Sequence, residues 1–540
     1  MKKTSIQKVL CAAVAGTMIL GMFSGCGGTG RSASEEGKNT SGNESSQTEE
    51  SNATGGEITI GVTSFADTLE PTEQYFSWVV SRYGVGETLV RFDEEGELTL
   101  CLAENWEVSE DELVWTFKIR EGVKFSNGTE MTPEMVKASL ERTYELSDRA
   151  ITFFEASSID VDGQNLKITT AEPVANVPGS LADPLFLIVD TEADTEKFAM
   201  EGPICTGPYV VESFSPTESC TVVKNEHYWD GEVPLDRVTL KCVDDQTTRS
   251  MALQTGEIDV AYNLKVENLA DFENDANIQV MELDSLRSTF SFMNENGVLG
   301  DKVLRQTLIR GLDRDTYCNV LLEGGASAGK TPVPPTLDFG FDELNDKNAY
   351  DPEGAKALLA EAGYQDVDGD GFVETPEGKS LELNFVIYTS REELNVYAQA
   401  AQASLKEIGI KVTLETVSYE TLLDVRDAGD FDMLIWNVLV ANTGDPEKYL
   451  RESWYSTSPS NQTGYNNSEV DRLLDELATE FDDAARKDLT IQIQQLIMDD
   501  AATVFFGYET TYLYSNKRVT GLSLYPMDYY WLTKDVALAE

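Results

Sequence analysis

Two short stretches of this 540-residue chain carry residues spaced for chemistry. Gly324-Gly325-Ala326-Ser327-Ala328-Gly329-Lys330-Thr331 has the spacing of a phosphate-binding loop, in which backbone amides and a lysine cradle phosphate oxygens. It also contains Gly-x-Ser-x-Gly, the spacing of an exposed nucleophilic serine. Context speaks against both. A phosphate loop needs a strand before it and a helix after it. Here a helical pattern precedes, and Pro332, Pro334 and Pro335 stop a helix from following. The second stretch places Asp366, Asp368, Asp370, the Phe372 carbonyl and Glu377 at the oxygen-ligand positions of a calcium loop, with Gly371 at its turn. No helix follows it either, since Pro376 and Gly378 lead into a strand. The candidates are therefore a structural calcium ion or an acidic hairpin. The chain's one histidine, His227, leaves no multi-histidine metal site and no serine triad unless His227 is itself the base. The seven cysteines match no zinc spacing. Cys220 and Cys242 fall in two strands that could pair, so a disulfide is conceivable, with at least one of the others beyond Cys26 left unpaired.

A binding loop is the remaining candidate, and the elements around it give it a place. Leu381, Leu383, Phe385 and Ile387 alternate as a strand. Ser390 to Glu393 reads as a capping box opening a helix that ends at Gly409. A strand over 410–417, a helix over 419–427 and a strand over 431–438 follow. This β-α-β-α-β order is that of a wound sheet with parallel crossovers. The stretch from Trp436 through Asn437, Asn442 and Asp445 leaves the carboxyl end of the last strand, where such sheets bind ligands. Trp436 could stack on a ligand or pack in the core.

Composition narrows the function. There are 95 acidic against 41 basic residues, a net charge of -54. Such a surface repels nucleic acid and anionic headgroups. With 41% hydrophobic residues the chain can bury a substantial core. Residues 1–25 read as a targeting segment, with Lys2, Lys3 and Lys8 ahead of an apolar run of 15 residues, Val9 to Phe23. That run is short for a membrane span. Phe23-Ser24-Gly25-Cys26 resembles a bacterial lipobox, which implies acylation at Cys26 and a stable lipid anchor. The alternative is an ordinary secretory signal. Residues 26–56, rich in Ser, Gly, Glu, Thr and Asn, cannot bury a core and read as a tether.

Leu102 to Tyr144 is the most specific stretch. Trp115, Phe117 and Ile119 alternate with Thr116, Lys118 and Arg120, a half-buried strand. Asn127-Gly128 is a turn, and Thr132-Pro133-Glu134 a helix start. The residues Ala103, Trp106, Trp115, Phe117, Arg120, Gly122, Val123, Lys124, Phe125, Gly128, Thr132 and Val136 resemble the signature of the bacterial extracellular solute-binding proteins of family 5, which deliver peptides, nickel chelates and similar solutes to ABC importers. Gly202 to Tyr209, Asn225 to Trp229, Gln254 to Ala261 and Ser291 to Asn294 also resemble family segments.

The resemblance implies an α/β, bilobed periplasmic-binding-protein-like fold, of type II in the large peptide-binding cluster, with two crossover hinge strands. Lobe I would span 57–288, with a subdomain inserted at about 100–195. Lobe II would span 289–504, and 505–540 would return to lobe I. It implies that Tyr75 and Phe76, in a loop after Pro71, stand at the cleft mouth. It sets Asn442 where peptide-binding relatives carry the aspartate that holds a peptide's amino terminus, so a simple dipeptide specificity is not expected; Asp445 could substitute. The implied partners are a peptide-like ligand or, alternatively, a metal chelate, the importer's permease with its ATPase, and the membrane through the lipid anchor. The implied protein is a monomer at the outer face of the cytoplasmic membrane, with no catalytic residue and no required cofactor beyond the candidate calcium. A secreted acidic hydrolase is a further alternative, without spacing to single out its carboxylates.

Overall fold

Local chemistry starts the elements where the residue types demand it. In the computed structural model Thr132 Oγ1 accepts the backbone N–H of Met135, Pro133 takes the first helical position, and the helix Pro133–Leu146 runs from there. Asp301 and Asp351 cap the helices Lys302–Arg310 and Pro352–Glu361 in the same way. The structure describes residues 52–539 apart from 54, 64–65, 265–267, 269–271, 273–274 and 389–390. The leader, Cys26, most of the tether and the capping box expected at Ser390 therefore lie at least partly outside the described residues.

An eleven-stranded sheet runs through both lobes. Its centre is a pair of long antiparallel strands, Ile278–Met293 and Thr503–Asn516, joined from Ile278 opposite Asn516 to Phe292 opposite Thr503. On one side the second of these pairs with Val260–Tyr262, which leads through the parallel strands Glu57–Val62 and Arg237–Cys242 into lobe I. On the other side the first pairs with Met433–Leu439 of lobe II. Lobe II has the predicted winding. Glu382–Tyr388, Lys411–Val417 and Met433–Leu439 are parallel, joined by the helices Glu392–Glu407 and Tyr419–Ala428.

The two long strands lose register between Thr289 and Phe290 and, more widely, between Asp284 and Ser288. Asp284 faces Thr510 and Ser288 faces Tyr508, so residues 285–287 stand opposite Glu509 alone. Extra residues on one strand break the ladder and bend it. This break lies between the parts of the strands that serve each lobe, and it is the hinge.

A four-stranded sheet, in the order Ala103–Val108, Val114–Ile119, Asn165–Thr170 and Ala156–Asp162, forms the subdomain of lobe I. Trp115, Phe117 and Ile119 face its core while Lys118 is exposed, as the alternation requires. The helix Pro133–Leu146 packs on it.

The phosphate-loop spacing at Gly324 is not a phosphate loop. Ala326–Ala328 is a short strand on the hinge strand, Thr331 is fully buried against Tyr508, and the Lys330 ammonium lies 3.9 Å from the centre of the Phe341 ring. Cys220 faces Leu240 rather than Cys242, and no disulfide joins the two. Their diagonal placement on neighbouring strands sets them farther apart than a disulfide spans. His227 is exposed in a turn. Among the described residues no helix is long and apolar enough to cross a membrane.

Candidate functional site

The loop after Met433–Leu439 leaves lobe II and enters lobe I. Leu439 and Ala441 are buried in the same apolar cluster as Trp78, Phe92 and Tyr529 of lobe I. Gly444 has φ +75°, and a side chain there would meet the Phe92 ring at 2.8 Å, so only glycine lets the loop approach so closely. The Asn442 amide donates to Asp183 Oδ2 at 3.2 Å, and its carbonyl accepts the Tyr529 hydroxyl at 3.0 Å. Asp183 is fully buried and also accepts the Tyr529 hydroxyl, 3.1 Å, and the N–H of Leu185, 2.9 Å. Asn176 of lobe I donates to the Thr443 carbonyl, 3.0 Å. Farther out, Trp115 of the subdomain stacks on Phe481, and the Lys448 ammonium of lobe II sits over the Phe153 ring. The lobes therefore touch directly along this edge.

Asp445 is committed elsewhere. Its Oδ2 accepts Nε and Nη2 of Arg486 at 3.0 and 2.8 Å, and its Oδ1 accepts the N–H of Glu447. Both side chains of that ion pair are nearly buried. The carboxylate orders the loop into the helix Glu447–Trp454.

Aromatic rings line the cleft from both sides. Trp436 is half-buried, 6.2 Å from Tyr419 between ring centres, with the Arg426 guanidinium 5.4 Å from its ring. Tyr388 lies edge-on to Tyr419. From lobe I, Tyr75 is half-exposed, carries the Arg149 guanidinium 3.9 Å over its ring, and meets Trp78 edge-on. Burial, then the neighbouring Tyr75 across the cleft, raises the Tyr419 phenol above its ordinary pKa. Phe76 turns inward and is buried in the lobe I core.

At the hinge break stands a polar cluster. Arg287 Nη1 donates to Asn437 Oδ1 at 2.9 Å. Asn437 in turn donates to Thr289 Oγ1, 2.7 Å, and to Glu509 Oε1, which also accepts the Thr289 hydroxyl at 2.7 Å. Arg391 reaches Glu393 at 3.3 Å and Glu509 at 3.6 Å. Burial, and then repulsion from Glu393, push the Glu509 carboxyl above the usual range. The carboxylates of Glu509 and Glu393 outweigh the burial of Arg391 and raise its pKa.

The structure thus brings Trp436, Asn437, Asn442 and Tyr75 to the space between the lobes. It adds Arg287, Arg391, Glu509, Tyr419, Tyr529 and Asp183, which sequence reasoning missed. A signal existed for two of them: Arg287 and Glu509 are charges within strand patterns next to apolar residues, Leu286 and Tyr508, a costly placement if buried without a partner.

The acidic loop is remote from this cleft in sequence and chemistry. Carboxylate oxygens of Asp366, Asp368 and Asp370 converge within 4.8 Å of one another. Asp366 accepts the N–H groups of Gly369 and Gly371, and Asp370 that of Phe372. Glu377 does not join them. It sits in the turn between Thr375 and Lys379, where Glu374 bridges to Ser380 and closes a hairpin. The twelfth residue of such a loop supplies a bidentate carboxylate, and here that residue, Glu377, is not among the converging groups. The three aspartates could hold a hard cation only with water filling most of its shell.

Two lobes on a pair of shared strands, with aromatic and charged groups facing inward, define a binding protein that closes on a small molecule. The model of the family described as "Bacterial extracellular solute-binding proteins, family 5 Middle" matches residues 97–461, and this chain belongs to that family. Its relatives include the probable D,D-dipeptide-binding periplasmic protein DdpA of Escherichia coli, 28% identical over 87% of this chain and 92% of that protein. The nickel-binding protein NikA of Staphylococcus aureus is 26% identical over 84% of this chain and 89% of its own length. The oligopeptide-binding protein AppA of Bacillus subtilis, solved with a nonapeptide, shares the fold, with a TM-score of 0.77 at 22% identity, covering 91% of this chain and all of that one.

Proposed function

We propose that this protein captures a peptide-like solute between its lobes and presents it to the permease of an ABC importer. The observation that carries the reading is the hinge: a break in two shared strands, with Tyr419 of lobe II, beside Trp436, near Tyr75 of lobe I. Ligand contacts to both lobes favour the closed form, and that form is what a transporter can distinguish. AppA and DdpA, by their names, bind peptides, which makes a peptide-like solute the leading class. The nickel-binding relative supports a metal chelate as the second class. With His227 as the only histidine and exposed in a turn, such a chelate would bring its own metal ligands. Cys26 would be acylated and residues 26–56 would tether a monomeric binding protein to the outer face of the membrane. No step of covalent chemistry enters this function.

Native mass spectrometry of the purified protein tests it: a co-purified peptide or chelate is expected. Thermal unfolding with a peptide and chelate panel should show stabilisation without turnover. No shift with any member would sink both solute classes, and hydrolysis of a member would turn the reading toward an enzyme.

A further inference from the structure

The four-stranded sheet of lobe I, with the segments beside it, meets lobe II through residues that are not among the groups facing the cleft. Phe481, in the turn between the helices Ser468–Ala478 and Asp483–Asp499, stacks on Trp115 with ring centres 6.1 Å apart and planes 20° from parallel. Although it belongs to lobe II, Phe481 packs against the apolar core of lobe I. Both partners are held in place. The Trp115 indole donates to the Val174 carbonyl at 3.1 Å. Arg486 donates to the Leu477 and Glu480 carbonyls at 2.7 Å each and so fixes the turn that carries Phe481. The Ala175 N–H of lobe I donates to the Ala478 carbonyl of lobe II at 3.2 Å. That carbonyl ends a helix and has no partner within it, so a donor from the opposite lobe satisfies it. The Lys448 ammonium, largely buried and paired with Glu452, lies 4.7 Å from the centre of the Phe153 ring. Each of these contacts has one partner on either lobe, so rotation about the hinge breaks all of them together.

We propose that the sheet of lobe I is a clasp: by receiving Phe481 it supplies a fixed share of the free energy of closing, whatever solute the cleft holds. The clasp rests on the lobes closing about the hinge, the motion that solute capture also needs, but not on the class of solute. Its strength is limited. An aromatic pair of this kind shifts a two-state equilibrium by about tenfold at most. That leaves an open form populated for a solute to enter, while the solute needs fewer contacts of its own to complete closure. The clasp thus gives the four strands, which carry none of the groups facing the cleft, a part in closure.

The test uses the full chain, refolded from denaturant to remove co-purified solute and checked by circular dichroism. Amide hydrogen exchange in the segment around Ala175 reads closure, because the Ala175 N–H is bonded across the lobes. Exchange around Phe117, which lies between two neighbouring strands, reads the integrity of the sheet. In Phe481→Ser, protection at Ala175 should fall several-fold, up to about tenfold, with protection at Phe117 unchanged. The radius of gyration from small-angle scattering should rise in the same variant. Phe481→Trp keeps a ring on Trp115 and should retain most of the protection. Lys448→Met, outside the stacked pair, gives an independent arm: a smaller fall at Ala175 supports the clasp, and no fall counts against it. Unchanged protection in Phe481→Ser overturns the proposal. So does a fall that reaches Phe117 as well, because Phe481 would then be holding the sheet together rather than the lobes. No solute enters these measurements, so a wrong solute class leaves the clasp standing, and a failed clasp leaves the solute reading to its own test.

Discussion

At the scale of single residues, Asn442 and Asp445 show how one loop separates two tasks. Asp445 is consumed by Arg486, so its removal should act on stability alone. Asp445→Ala leaves a nearly buried guanidinium without its counter-charge, and a loss of about 3 kcal/mol is expected in denaturant unfolding. The loss should be the same with and without ligand. Asn442 lies against the buried Asp183. Asn442→Asp sets two carboxylates together, and a loss of about 1–3 kcal/mol near neutral pH is expected. That loss should shrink on acidification, or with a peptide whose ammonium can sit between the two groups; Tm series with free-amine and acetylated peptides read it out. A loss that neither proton nor ammonium relieves would count against Asp183 as the partner.

At the scale of elements, the strands and helices were largely legible and their meeting points were not. The alternation at Trp115, Phe117 and Ile119, the cap at Thr132 and the winding of lobe II follow from local residue types. Asp183, Asn442 and Tyr529 lie up to 346 residues apart in sequence, and no local pattern announces that they share hydrogen bonds. The calcium-loop spacing left a calcium site and an acidic hairpin open, because spacing alone does not say where Glu377 lies; here it lies in a hairpin turn, while the three aspartates converge. Three aspartates with little else should give a weak site. Stabilisation by calcium is expected only toward the millimolar range, where sparse extracellular sites bind, about 10⁻⁴–10⁻³ M. Calorimetric titration showing submicromolar affinity would mean further ligands. Gly179, in the helix Val177–Leu181, lets the Thr443 carbonyl approach: a side chain there would meet it at 2.2 Å. Gly179→Ala should unseat the loop, weaken ligand binding and enlarge the radius of gyration measured by small-angle scattering.

At the scale of the whole molecule, the net charge of -54 and the buried carboxyls push in one direction. Burial is the leading cause that raises Glu87, Glu295, Asp432, Glu447 and Glu509 above their ordinary pKa values. A raised carboxyl contributes stability that is complete below the unfolded value, about 4.3 for Glu. That stability is lost as pH rises through the folded value. Glu70 opposes this. Burial would raise it, but Arg142 and Thr72 hold it below the ordinary range, and its contribution disappears only as pH falls through that lowered value. Tm should therefore be higher at mildly acidic pH than at pH about 8, and Glu509→Gln should flatten the slope. Added salt should raise Tm at the alkaline end by screening self-repulsion.

The edge of lobe I carries one more consequence. Asn52–Ala53 pairs with Ala537–Ala539, which pairs with Val519–Thr520. The hinge strand Thr503–Asn516 likewise supplies an interior strand of the shared sheet. Lobe I is thus assembled from segments separated by the whole of lobe II. During synthesis and export lobe II can acquire its own core early, while lobe I waits, incomplete, for the final residues to emerge. The late arrival of those residues makes the last step of folding also the step that sets the two lobes on a common hinge.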